Sequence, residues 1–156
     1  HVSSYLFPPT ETGLDNLKKE GFSLNSKPPY SFDNPAIFNF GDVMYDNSMY
    51  FSEIADKKSN ILSELGINNE KFILTTIHRN NNTDDSKRLN DIFRSLLDIS
   101  NKHNIKVILP LHPRTLKQKT LYLSDDLSLK INDSSNIIII EPVSFLDMIQ
   151  LEKNPN

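Results

Sequence analysis

Three short runs in which nearly every position is apolar or β-branched, at 71–77, 106–111 and 136–141, alternate with longer stretches patterned at helical spacing. Strands that alternate with helices and carry no polar face belong to a parallel sheet covered on both sides. Between the first two runs, Leu89, Ile92, Phe93, Leu96 and Leu97 fall at i, i+3, i+4, i+7 and i+8, which predicts a helix over 84–103 with one buried stripe. Thr83 is its expected cap, with Asp84 and Asp85 on its positive end. A further helix is expected from about Thr115, and "VSFLDMIQLEK" reads as a closing helix that Ser144 caps.

The upstream pattern is less regular. Residues 4–7 form a short strand stopped by Pro8-Pro9, and a helix capped by Thr10 runs to Gly21. The stretch 23–36 holds three prolines among small polar residues and reads as loop or linker. A strand over 37–42 and a helix from about Val43 to Leu65, ended by Gly66, complete the order. Right-handed crossovers turn the last three strands into a βαβαβ half of a Rossmann-like sheet, with the second strand between the other two.

Composition narrows the class without changing the fold. The 156 residues are 37% hydrophobic and 24% charged, with a net charge of −3. No basic patch stands out, so neither nucleic acid nor an anionic membrane has an electrostatic claim on the surface. The apolar runs fall far short of the ~20 residues a membrane helix needs. There is no cysteine, which removes disulfides and thiolate metal sites. The chain reads as soluble and cytoplasmic, and as a segment of something longer.

Unusual residues follow each of the three strands. His78-Arg79 comes after the first, His112-Pro113-Arg114 after the second and Glu141-Pro142 after the third. The carboxyl ends of parallel strands share one rim, where ligands of open α/β sheets bind. Two imidazoles and two guanidinium forks on one edge suit a pyrophosphate or a sugar phosphate. Each residue also has a plain reading: a histidine bonded to a carbonyl, a solvated arginine, a glutamate that merely precedes a proline.

Other chemistries fare worse. His78, His112 and Glu141 lack the local HExxH spacing of a zinc site, and no GxSxG, Walker A or GxGxxG occurs. Tyr45, Tyr50 and Phe51 read as packing, and Phe145 and Met148 as core, with a flat wall for a nucleobase as the sharper alternative.

The segments "TTIHRNNNTDD", "ILPLHPRT" and "IIEPVSFLDMI", in this order and at these separations, resemble the non-hydrolysing UDP-N-acetylglucosamine 2-epimerases. "YLFPPTETGLDNLKKEGF" and "FNFGDVMYDN" resemble the passage between the two domains of that family. The resemblance implies two Rossmann-like domains facing a cleft, as in GT-B glycosyltransferases. Residues 1–42 would then be the tail of the first domain and a linker, 43–66 a connecting helix, and 67–156 the first half of the UDP-binding domain. It implies interconversion of UDP-GlcNAc and UDP-ManNAc, by elimination of UDP to a 2-acetamidoglucal and re-addition on the other face of C2, with neither metal nor nicotinamide. The parent enzyme would be a homodimer.

The same resemblance sets His78 as the catalytic residue on the diphosphate side. Arg79 and His112 match residues that line the cleft for substrate or an activating UDP-GlcNAc molecule, while Phe145 and Met148 would lie near the uracil. Arg114, from its place on the rim, joins the substrate-binding set. Asn81 stands where the family carries a glutamate, which removes a negative charge from the cleft. The GTRPE-like segment, the carboxylates of the first domain and the DSGG-like loop are not in the chain, so by itself it is expected to be inactive. A GT-B glycosyltransferase fragment and a non-catalytic Rossmann-like module are the alternative readings.

Overall fold

A computed structural model describes residues 2–154. The chain divides into two compact units, His1–Tyr50 and Phe51–Asn156. In the first, β1 (Tyr5–Leu6) pairs in parallel with β2 (Ala36–Ile37), and the intervening α1 (Glu11–Lys19) is capped as expected: the Thr10 hydroxyl accepts the Gly13 amide at 3.1 Å. The strand expected over 37–42 is much shorter. After Phe38 donates to the Leu6 carbonyl, the Asn39 side chain accepts the Gly41 amide at 3.0 Å, and Gly41 turns the chain at φ +87°. α2 (Val43–Lys58) begins in this unit and ends in the second.

The helix expected to reach Leu65 breaks at Ser59 and Asn60, and α3 (Ile61–Glu64) follows as a separate turn. Ser59 uses its hydroxyl outside the helix, accepting the Ile61 amide and donating to Asp147. Gly66 then reverses the chain at φ +63°.

The sheet of the second unit matches its sequence pattern. β3 (Phe72–Leu74), β4 (Lys106–Pro110) and β5 (Ile137–Ile140) are all parallel, with β4 in the middle. Between β3 and β4 lie a four-residue turn, α4 (Asn80–Thr83), and the long α5 (Ser86–His103). Between β4 and β5 lie α6 (Pro113–Tyr122) and α7 (Asp125–Asp133), and α8 (Phe145–Lys153) follows β5.

Side chains alternate across β4, so Val107, Leu109 and Leu111 face one core and Ile108 the other. The first core takes Leu89, Phe93 and Leu97 of α5, with Ile92 and Leu96 against its edge, and Leu127 and Ile131 of α7. The second takes Ile61, Ile67, Phe72 and Leu151. Apolar burial on both faces is what makes the strands continuous hydrophobic runs. No helix among the described residues is long and apolar enough to cross a membrane.

Two helix starts differ from expectation. Thr83 does not cap α5; the Asp85 carboxylate does, accepting the Arg88 amide at 3.0 Å, while Thr83 is buried with its hydroxyl turned to the Arg79 carbonyl. α6 starts at Pro113, since proline at the first helical position gives up an amide that has no intrahelical partner anyway. α7 was not separated from α6 in the sequence pattern.

Candidate functional site

β3 ends at Leu74, short of the expected 77, and the cause lies on its neighbour. Thr75 donates to the Ile108 carbonyl at 3.0 Å. The parallel register then asks residue 110 to donate to the Thr75 carbonyl, but Pro110 has no N–H. Residues 75–78 are therefore free to leave the sheet. On its other side β4 needs no amide from Pro110, and Leu111 donates to Ile140 at 3.0 Å.

The opening that results is a cavity of about 170 Å³ lined by Thr76, Ile77, His78, Pro110, His112, Pro142, Val143 and Met148. His78 and His112, far apart in sequence, thus face one space, with Met148 and two prolines as its apolar wall. Both histidines are exposed, and Met148 is half-buried. This volume is below the ~300 Å³ at which small-molecule pockets usually begin, so it suits one portion of a larger ligand.

The ring orientation of His112 is set locally. Its Nδ1 accepts the Arg114 amide at 3.3 Å and caps α6. A nitrogen that accepts a backbone hydrogen carries none of its own, so the neutral ring has its proton on Nε2. His112 is therefore a donor in its neutral form, suited to an anionic oxygen.

The other expected site residues lie around this cavity without lining it. Arg79 is exposed, caps α4 and adopts φ +89°, ψ 126°, outside the wells open to side-chain-bearing residues. Arg114 holds both carboxylate oxygens of Asp84 through Nη2, at 2.8 and 3.0 Å. Phe145 is half-exposed rather than core, its ring edge-on to Phe51 at 5.3 Å. Tyr45 is likewise exposed rather than packed. Glu141 lies outside the histidine cavity, on a neighbouring one of about 540 Å³ with Leu111, Pro113, Leu116, Ile139, Ile140 and Pro142. Asn81 sits on a polar depression with Asn80, Asp84, Asp85 and Arg88. Among the described residues, no three His, Cys, Asp or Glu side chains gather as metal ligands.

Sequence reasoning missed three features here. Thr115 is buried and donates its hydroxyl to the Ile77 carbonyl at 3.0 Å, Asp84 partners Arg114, and Asp147 ties α8 to Ser59. All three are long-range pairs without a local signature.

A family model described as UDP-N-acetylglucosamine 2-epimerase matches residues 1–156. The chain is 41% identical over 155 residues to a UDP-N-acetylglucosamine 2-epimerase homolog of Methanococcus maripaludis, covering 99% of this chain and 38% of that protein. It is 35% identical over 158 residues to the UDP-N-acetylglucosamine 2-epimerase of Methanocaldococcus jannaschii, covering 99% of this chain and 39% of the relative. A UDP-2,3-diacetamido-2,3-dideoxy-D-glucuronate 2-epimerase of Pseudomonas aeruginosa is 38% identical over 151 residues, 96% of this chain and 36% of the relative. The crystal structure of the M. jannaschii UDP-GlcNAc 2-epimerase in complex with UDP-GlcNAc and UDP superposes with a TM-score of 0.78 at 33% identity, over 97% of this chain and 38% of that one. The UDP-GlcNAc 2-epimerases it matches have a GT-B-like fold. The chain thus spans well under half the length of these relatives.

Proposed function

We propose, since the chain belongs to the UDP-N-acetylglucosamine 2-epimerase family, that it is the UDP-binding segment of an enzyme interconverting UDP-GlcNAc and UDP-ManNAc. The observation that carries this reading is the shared cavity of His78, His112 and Met148. Two imidazole donors beside an apolar wall suit a diphosphate with an uncharged portion of the nucleotide next to it. In this reading His78 stabilises the charge that develops on UDP as the C1–O bond breaks and the C2 proton leaves, and UDP rejoins C1 while a proton adds to the other face of C2. His112 donates from Nε2 to a phosphate oxygen, Arg79 and Arg114 supply positive charge at the mouth, and Phe145 and Met148 flank the base.

Residues 67–156 would form the first half of the UDP-binding domain, with 1–42 the tail and linker of a preceding one and 43–66 the connection. A cytoplasmic homodimer supplying polysaccharide synthesis completes the proposal, with family membership as its support. The related epimerases lend no support to the glycosyltransferase or binding-module readings.

A second substrate deserves its own test. The P. aeruginosa relative, named for a diacetamido glucuronate, is nearly as similar as the M. maripaludis one. Calorimetric titration with UDP, UDP-GlcNAc, UDP-2,3-diacetamido-2,3-dideoxyglucuronate and UDP-glucose separates the readings. Binding of UDP with a preference for UDP-GlcNAc is expected. A folded sample that ignores all four ligands overturns the proposal, and preference for the uronate moves it to the second substrate.

A further inference from the structure

We propose that two buried threonines, Thr115 and Thr83, are positioning residues that fix the direction of His78 by pinning the carbonyls of Ile77 and Arg79, which bracket the His78–Arg79 pair. The effect on ligand binding rests on the reading of the cavity as a UDP site; the placement of His78 does not.

Thr83 and Thr115 are each 3% exposed, and both spend their hydroxyls on the same short loop. Thr115 Oγ1 donates to the Ile77 carbonyl at 3.0 Å, across 38 positions of sequence. Thr83 Oγ1 lies 3.3 Å from both the Arg79 carbonyl and the Asp84 carboxylate, and the Arg79 carbonyl also takes the amides of Asn82 at 2.9 Å and Thr83 at 3.2 Å. The peptide planes before and after the His78–Arg79 pair are therefore both held. Between them Arg79 adopts φ +89°, a conformation that persists only where the surroundings over-determine it. Ile77 anchors the segment from within, its side chain 6% exposed in the same buried core that holds Leu89 and Leu111.

Thr115 has a second consequence. It lies one turn into α6, the helix that His112 caps. Its bond to Ile77 ties the element carrying one imidazole to the loop carrying the other, so this buried hydroxyl helps to set the spacing of the two rings across the cavity. The Arg114–Asp84 pair makes the same connection farther out, where solvent weakens it. Loss of the Thr115 donor leaves the Ile77 carbonyl without its side-chain partner, and the loop is then free to relax toward an unstrained Arg79.

The test uses the 156-residue chain. Thr115→Val and Thr83→Val keep the shape and remove the donor; the matching serine variants keep the donor. Long-range proton–nitrogen NMR spectra report the ring signals of His78, His112 and, as an internal control, His103 at the end of α5. In both valine variants the His78 signals are expected to move while His103 stays in place, and in the serine variants the parent positions return. UDP affinity should fall at least about fivefold in Thr115→Val, the ~1 kcal/mol typical of one hydrogen bond, and recover in Thr115→Ser. A role confined to stability would lower the unfolding midpoint and leave His78 unmoved. Unmoved His78 signals in folded valine variants overturn the proposal whether or not UDP binds. If His78 moves but the parent chain ignores UDP, the positioning stands and the functional reading falls. Should Thr115→Val fail to fold, Thr83→Val carries the same comparison.

Discussion

Ser59 donates its hydroxyl to one carboxylate oxygen of Asp147 at 2.6 Å, across 88 positions of the chain, while Ser144 donates to the other at 2.6 Å. Asp147 sits in the first turn of α8, which also carries Met148 into the cavity wall. The hydroxyl of Ser144, and after it that of Ser59, hold this carboxyl below the ordinary carboxylate range. A folded-state value lower than the unfolded one contributes stability that is present above the unfolded value, near 4, and is lost as pH falls through the folded value. The urea midpoint should therefore lose a contribution from this group below about pH 4. Asp147→Asn should show a flatter acid limb, and Ser59→Ala should shift that limb upward in pH. Superimposable profiles for the parent and Asp147→Asn would mean the two hydroxyls do not hold the charge.

Arg114 is engaged by Asp84, although its position on the rim suggested a ligand role. The pair is about half-exposed on both sides, so it is expected to contribute only ~0.2–1 kcal/mol to stability. Asp84→Asn frees the guanidinium, whereas Arg114→Gln removes it. If Arg114 serves an anion, UDP binds more tightly in the first variant and more weakly in the second, with both differences shrinking at high salt. Equal affinities across the parent and both variants would confine Arg114 to holding the loop.

The parallel sheet, its order and its apolar cores were legible in the sequence because they rest on local periodicity: every position of 137–140 is isoleucine, and Leu89, Phe93 and Leu97 mark one helix face. The rim was legible as well, since topology alone puts His78 and His112 on one edge. Less legible were features decided by partners distant in sequence. Nothing near Thr115 announces Ile77 as its acceptor, and the break at Ser59 depends on an aspartate near the end of the chain. Thr83 looked like a cap because its neighbours fit that role, yet a carboxylate two residues later accepts the helix amide and leaves the threonine to the interior. Glu141 shares the rim but not the cavity, because strand order sets the edge whereas backbone direction past the strand sets the side.

Pro110 gives the cavity its opening by withholding one amide. Pro110→Ala supplies that N–H opposite the Thr75 carbonyl and should lengthen the β3–β4 ladder by one bond. The expected signs are slow exchange of the new residue-110 amide and a weaker UDP affinity as the gap narrows. Fast exchange there, with affinity unchanged, would show that the strands part for another reason.

His78 carries the strongest demand on activity. With the chain exchanged for its counterpart in the M. jannaschii epimerase, His78→Ala should lower turnover by tenfold or more, because removing a donor aimed at developing charge costs roughly 3 kcal/mol. His112→Ala should act mainly on KM if that ring binds phosphate equally in the ground and transition states. Undiminished turnover in the His78 variant would place the departing UDP elsewhere.

Arg79 combines a strained backbone with a side chain expected to meet the ligand, and two substitutions separate these. At φ +89°, ψ 126° it occupies ground that glycine reaches freely and other residues reach at about 1–3 kcal/mol. Arg79→Gly removes both strain and guanidinium; Arg79→Ala removes the guanidinium and keeps the strain. Glycine also makes the unfolded chain more disordered, which takes back roughly 0.5–1 kcal/mol. The glycine variant should therefore be at least as stable as the alanine one, with the higher urea midpoint of the two. Both should bind UDP more weakly than the parent, and by similar factors, if charge is what Arg79 supplies. A glycine variant that binds much worse than the alanine one would instead show that the strained backbone, rather than the guanidinium, aims His78. Parent-like affinity in both would return the side chain to solvent.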